Sequence, residues 1–75
     1  MRLVGSPEVE AKALELIREA GMPVSIDYVA RSLGVSWQTA RTILLYLVIK
    51  GKLKMIDTTK GPVFILRKES LRGEA

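Results

Sequence analysis

Residues 26–45, IDYVARSLGVSWQTARTILL, carry the pattern that most restricts how this chain can fold. Ile26, Val29, Ala30 and Leu33 recur at three- and four-residue steps, Gly34-Val35 interrupts them, and Ala40 and Ile43 resume the same spacing. Two short helices crossing through a tight turn need this arrangement. The small Ala30 lets the backbones approach, and glycine at position 34 accepts a turn geometry that a side chain resists. The two apolar stripes then form one shared inner face.

The rest of the chain is read outward from this pair. Residues 1–5, MRLVG, form an arm that either pairs as a strand or stays loose. Ser6 followed by Pro7 marks a helix start, a capping oxygen ahead of the residue best suited to the first helical position. Glu8 and Glu10 fall in the first turn, where the helix dipole favours negative charge. Val9, Ala13, Leu16, Ile17 and Ala20 line one face, Ala11, Glu15 and Arg18 the other, and the glutamates lie mainly on the solvent side. Gly21 ends this helix and Pro23 prevents its resumption. After a short extended piece at 23–24, Ser25 caps a second helix over 26–33, and Ser36 caps a third that runs to about Lys50, where Gly51 stops it. The period then becomes two. Leu53, Met55 and Asp57 alternate with Lys54 and Ile56, residues 58–61 turn the chain, and 62–67 return as a second strand. Residues 69–75 form a polar, frayed tail. The expected fold class is mainly α with a small β-hairpin, one domain over residues 6–68.

At 75 residues the chain is near the size where a single hydrophobic core only just suffices, and it has no cysteine for a disulfide or a thiolate metal site. Apolar residues make up 48% of it, so much of that surface must pack inside or against a partner. The longest apolar run, 43–49, is too short to span a bilayer, and no leader pattern stands at the start. A cytoplasmic protein without membrane contact is expected. The net charge of +4 is unevenly spread: residues 1–30 sum to −2, 31–49 to +2, 50–68 to +5 and 69–75 to −1. An acidic first helix and a basic C-terminal half suit a polyanionic partner. The chain has no asparagine and one glutamine, a depletion of thermolabile amides that points toward a thermophilic source.

The order of elements, the segment LGVSWQTA and the cadence of Leu44, Leu47, Gly51 and Leu53 together resemble the winged helix-turn-helix domains of prokaryotic and archaeal transcription regulators. The resemblance covers about residues 6–68. It implies that the third helix enters the major groove of double-stranded DNA while the hairpin, or wing, touches the adjacent minor groove or backbone. Carried over position by position, it implies DNA-binding roles for Ser36, Trp37, Gln38, Thr39, Arg41 and Thr42, with Lys54 and Lys60 on the hairpin and Leu45 at the groove-facing edge. Gln38 offers adenine a paired donor and acceptor, and Arg41 suits guanine or a phosphate. The hydroxyls of Ser36, Thr39 and Thr42 are of the type used on phosphates. Ser36 acting only as an N-cap, and Trp37 only packing across the turn, stay open as alternatives.

One feature departs from that pattern. With Ala40, Ile43, Leu44 and Leu47 facing inward, Gln38, Thr42, Leu45, Tyr46 and Ile49 point away. Leu45, Tyr46, Val48 and Ile49 make the C-terminal half of the helix apolar nearly all round, the pattern of a helix buried on every side. Three coverings are open. The wing folds back, as for Val48; or two chains associate through Leu45, Tyr46 and Ile49, helped by Leu3, Val4 or exposed faces of Ile56, Phe64 and Leu66; or the helix docks on a protein. Tyr28, opposite the buried face of the second helix, either reaches a phosphate or rests on a neighbour. A homodimer is the expected assembly, because two-fold pairing is the commonest cover for such a patch. Dimerisation through the third helix would block groove insertion, so the two expectations constrain each other.

Enzymatic chemistry is not expected. No histidine or cysteine exists, Asp27 and Asp57 fall in different elements, and no glycine-rich phosphate loop or zinc-ligand cluster occurs. No cofactor and no small-molecule effector are implied. The function expected is sequence-directed or general duplex DNA binding by a small transcription regulator; the alternative is a winged-helix module for protein–protein interaction in a larger complex.

Overall fold

The computed structural model describes residues 7–67, in the order α1 (Pro7–Ala20), β1 (Val24–Ser25), α2 (Ile26–Leu33), α3 (Trp37–Ile49), β2 (Leu53–Thr58) and β3 (Gly61–Leu66). The arm at 1–5, the Ser6 cap, Lys68 and the 69–75 tail lie outside the described residues. Three helices pack with a three-stranded antiparallel sheet of order β1-β3-β2.

The local signals explain each boundary. The Ser25 hydroxyl oxygen accepts from the Tyr28 amide at 3.1 Å, satisfying one of the unpaired donors at the start of α2. Gly34 ends α2 in the left-handed region at φ +73, and its amide and that of Val35 both donate to the Ala30 carbonyl, at 2.9 and 3.0 Å. Ser36 then caps α3 by accepting from the Thr39 amide at 3.1 Å. At the far end the Lys50 amide donates to Tyr46 and the Lys52 amide to Leu47, each at 2.9 Å, with Gly51 reversing the chain at φ +83.

Strand β1 is the element that periodicity does not announce. Two residues are too few to show alternation, yet Val24 pairs with Phe64 and Ser25 with Val63. Pro23, which has no amide hydrogen, precludes a longer ladder. The hairpin closes between Thr58 and Gly61 across Thr59-Lys60. No non-glycine residue among those described has positive φ, so Gly61, at φ +120, absorbs the conformation that the turn demands. The Thr58 hydroxyl secures the tip by donating to the Gly61 carbonyl and accepting from the Lys60 amide.

The core joins Ala13 and Ile17 of α1, Ile26, Val29 and Ala30 of α2, Ala40, Ile43, Leu44 and Leu47 of α3, and Val24, Leu53 and Phe64 of the sheet. Phe64 corrects the expectation of an exposed face: it is 0% accessible. Its strand is central, and the pairing of Val24, Phe64 and Met55 sets its ring on the inner face of the sheet. Leu66 and Leu33 are half-buried, whereas Ile56 is exposed. Glu8, Glu15 and Glu19 face solvent as expected, and Glu10 is the exception, buried at 8% accessibility. No helix among the described residues is long and apolar enough to cross a membrane.

Candidate nucleic-acid interface

The N-terminal turns of α3 bury Ala40 and Ile43 in the core and turn their opposite face outward. Ser36, Trp37, Gln38, Arg41 and Thr42 are exposed, and Thr39 is half-buried. Their hydrogen bonds separate them by what each can still do. The Ser36 hydroxyl donates to the Thr39 hydroxyl at 2.9 Å while capping the helix, and the Thr42 hydroxyl donates back to the Gln38 carbonyl at 3.0 Å. In this arrangement the Ser36 and Thr42 hydroxyl protons are directed to partners within α3, and a phosphate would have to displace those bonds. Gln38 and Arg41 project from the same stretch of helix with their side-chain donors uncommitted to any neighbour among the described residues.

The structure brings Trp37 and Lys60 together, although 23 positions separate them in the chain. Trp37, half-exposed at 50%, forms one wall of a surface depression of about 220 Å³. Lys60, Gly61 and Pro62 at the hairpin tip form another wall, and Ser25, Ile26 and Asp27 at the start of α2 complete it. Lys54 is exposed but sits near the hairpin base, roughly 13 Å of strand from the tip. Sequence reasoning missed Asp27 and Pro62 as members of this site. Their only signal was position: each begins or follows a turn that the fold carries to the same edge.

Asp27 is also the acceptor of an i,i+4 ion pair, with Arg31 Nε at 3.1 Å from its Oδ2, both side chains well exposed. A second pair removes a cation from the basic half of the chain. Lys50 Nζ lies 3.0 Å from Glu10 Oε1 and 4.9 Å from the Tyr46 ring centroid. The hydrogen bond that Lys50 donates to the Glu10 carboxylate, the main cause, raises the Lys50 pKa above its ordinary value. Glu10 Oε2 is buried without a hydrogen-bond partner among the described residues.

Toward the end of α3 the surface becomes apolar. Ile49 is 81% exposed and Tyr46 38%, while Leu45 is half-buried and packs against the core, as does Val48. Leu45 thus presents only part of its side chain to a groove or a partner. Tyr28 is exposed beside a depression that it lines with Met22, Pro23 and Val63. Among the described residues no group of three or more acidic, histidine or cysteine side chains could hold a metal ion. No known protein family, curated protein or solved structure matches the chain, so a functional reading rests on this geometry alone.

Proposed function

We propose that this chain is a winged helix-turn-helix protein that binds double-stranded DNA as a transcription regulator, acting as a homodimer. The observation that carries the reading is the shared depression of Trp37 and Lys60. The first residue of α3 and the tip of the basic hairpin border one surface, so a duplex that meets one meets the other. In this reading Gln38 and Arg41 contact base edges in the major groove, and Lys52, Lys54 and Lys60 contact phosphates. The +5 charge of residues 50–68 supports it, as does the exposure of these cations.

Mobility shift of random-sequence duplex at low salt, followed by selection of the bound sequences, tests the proposal. Binding is expected, with Arg41→Ala costing roughly 1–3 kcal/mol and relaxing sequence preference. Lys60→Ala should weaken binding to all sequences alike. Undetectable binding of the wild type at low salt would remove the proposal. A second reading, a winged-helix module for protein–protein interaction, draws on the exposure of Ile49 and Tyr46. Under that reading Ile49→Glu abolishes partner binding while the chain stays folded.

A further inference from the structure

The depression between α3 and the hairpin tip also holds groups that contact with a duplex backbone leaves unused. It is lined by half-exposed Trp37, by Ile26 and Pro62, by Lys60 and Asp27, and by Ser25 and Gly61. A carboxylate repels phosphate. It accepts hydrogen bonds from amino and ring N–H groups, which are found on base edges. An aromatic wall stacks a base through its π-face, and a lysine at the rim matches the phosphate that follows that base. At about 220 Å³ the space is of the order of one nucleobase with room to enter.

We infer that this depression takes a single unstacked nucleobase of DNA, stacked on Trp37, with guanine preferred. Guanine presents a ring N–H and an amino group side by side, so it can offer two donors to the carboxylate of Asp27. Thymine offers one. Arg31, paired with Asp27 at 3.1 Å, holds the carboxylate in place without exhausting its lone pairs. The inference rests on the DNA-binding reading but extends it to unpaired DNA, which the major-groove contacts of Gln38 and Arg41 do not require.

Trp37 is the only tryptophan in the chain, so its fluorescence reports this site alone. The full chain is titrated at low salt with three probes: a strand of about nine thymines, the same strand with one central guanine, and a blunt duplex, within the range of site sizes for single strands. The guanine strand should quench Trp37 and bind several-fold more tightly than the all-thymine strand. Asp27→Asn should erase that difference while the all-thymine affinity holds. Trp37→Ala, followed by mobility shift, should weaken single-strand binding by roughly tenfold, in line with the loss of one stacked base. A duplex shift with no response of Trp37 to either single strand overturns this inference and leaves the duplex reading standing. Guanine-dependent quenching without a duplex shift supports the inference and removes the duplex reading. Equal quenching by both strands, unchanged in Asp27→Asn, overturns the guanine preference.

Discussion

At the scale of single residues, Glu10 and Lys50 show how a charge can be present in the sequence yet absent from the working surface. Lys50 belongs to the most basic stretch of the chain, but it bonds to a carboxylate 40 positions earlier. Removing one partner strands the other, whereas replacing both with apolar groups of similar volume is often neutral or better. Lys50→Met should therefore lower the melting temperature more than the double variant Glu10→Leu/Lys50→Met, measured by calorimetry. The pH dependence has a definite sign. The Lys50 pKa is raised in the folded state, so its stabilisation is complete below the unfolded lysine value, about 10.4, and is lost as pH rises through the higher folded value. Thermal melts between about pH 9 and 12 should show this alkaline loss in the wild type and less of it in Glu10→Leu. Phe64 makes the complementary point for packing. Truncation of its fully buried ring, Phe64→Ala, should cost roughly 3–5 kcal/mol, enough to unfold a domain of this size under mild denaturant.

At the scale of elements, the α2–α3 turn and the hairpin tip both rely on glycine geometry, with different consequences. A Cβ added at Gly34 would meet nothing within 4 Å, so the cost of Gly34→Ala is backbone strain at φ +73 rather than a clash. That cost is about 1 kcal/mol, a fall of roughly 4–8 °C in melting temperature, with the native fold retained by circular dichroism. Helix α3 is divided along its length. Its first two turns present Trp37, Gln38 and Arg41 outward, and its last turn presents Tyr46 and Ile49. The two sets occupy different turns of one 13-residue helix, with Arg41 and Tyr46 about 7.5 Å apart along its axis. Dimerisation through Tyr46 and Ile49 and groove contact through Gln38 and Arg41, as proposed, would use different turns of α3, with half-buried Leu45 between them.

At the scale of the whole molecule, the charge available to a polyanion is smaller than the composition suggests. With Lys50 engaged by Glu10, the exposed cations flanking the proposed interface are Arg41, Lys52, Lys54 and Lys60. If all four meet phosphates, the logarithm of duplex affinity should fall against the logarithm of salt with a slope of about −3.6 per copy. Lys50→Met should leave that slope unchanged although it lowers stability; a slope reduced by about one would place Lys50 on the DNA. The homodimer proposed above has an equally direct check. Sedimentation of the wild type at micromolar concentration should give a dimer, and Ile49→Glu a folded monomer. A wild-type monomer would remove the two-copy arrangement.

The sequence by itself determined the three helices, their caps and the hairpin, because each depends on residues close in the chain: Ser25 and Ser36 at N-caps, Gly34 and Gly51 at turns, and apolar residues at fixed steps. Helix α2 follows the expected range of 26–33, and α3 ends one residue before the expected limit. Only the tertiary structure decided which distant groups meet. The pairing of β1 with β3 buried Phe64 on a face that alternation alone could not choose, since period two fixes two faces without saying which is inner. Contact between α1 and the end of α3 buried Glu10 and drew in Lys50. The return of the hairpin to the start of α2 set Lys60 beside Trp37 and Asp27. Short-range steric and hydrogen-bonding preferences are written in neighbouring residues. A site assembled from residues 27, 37 and 60 exists only once the chain has closed on itself.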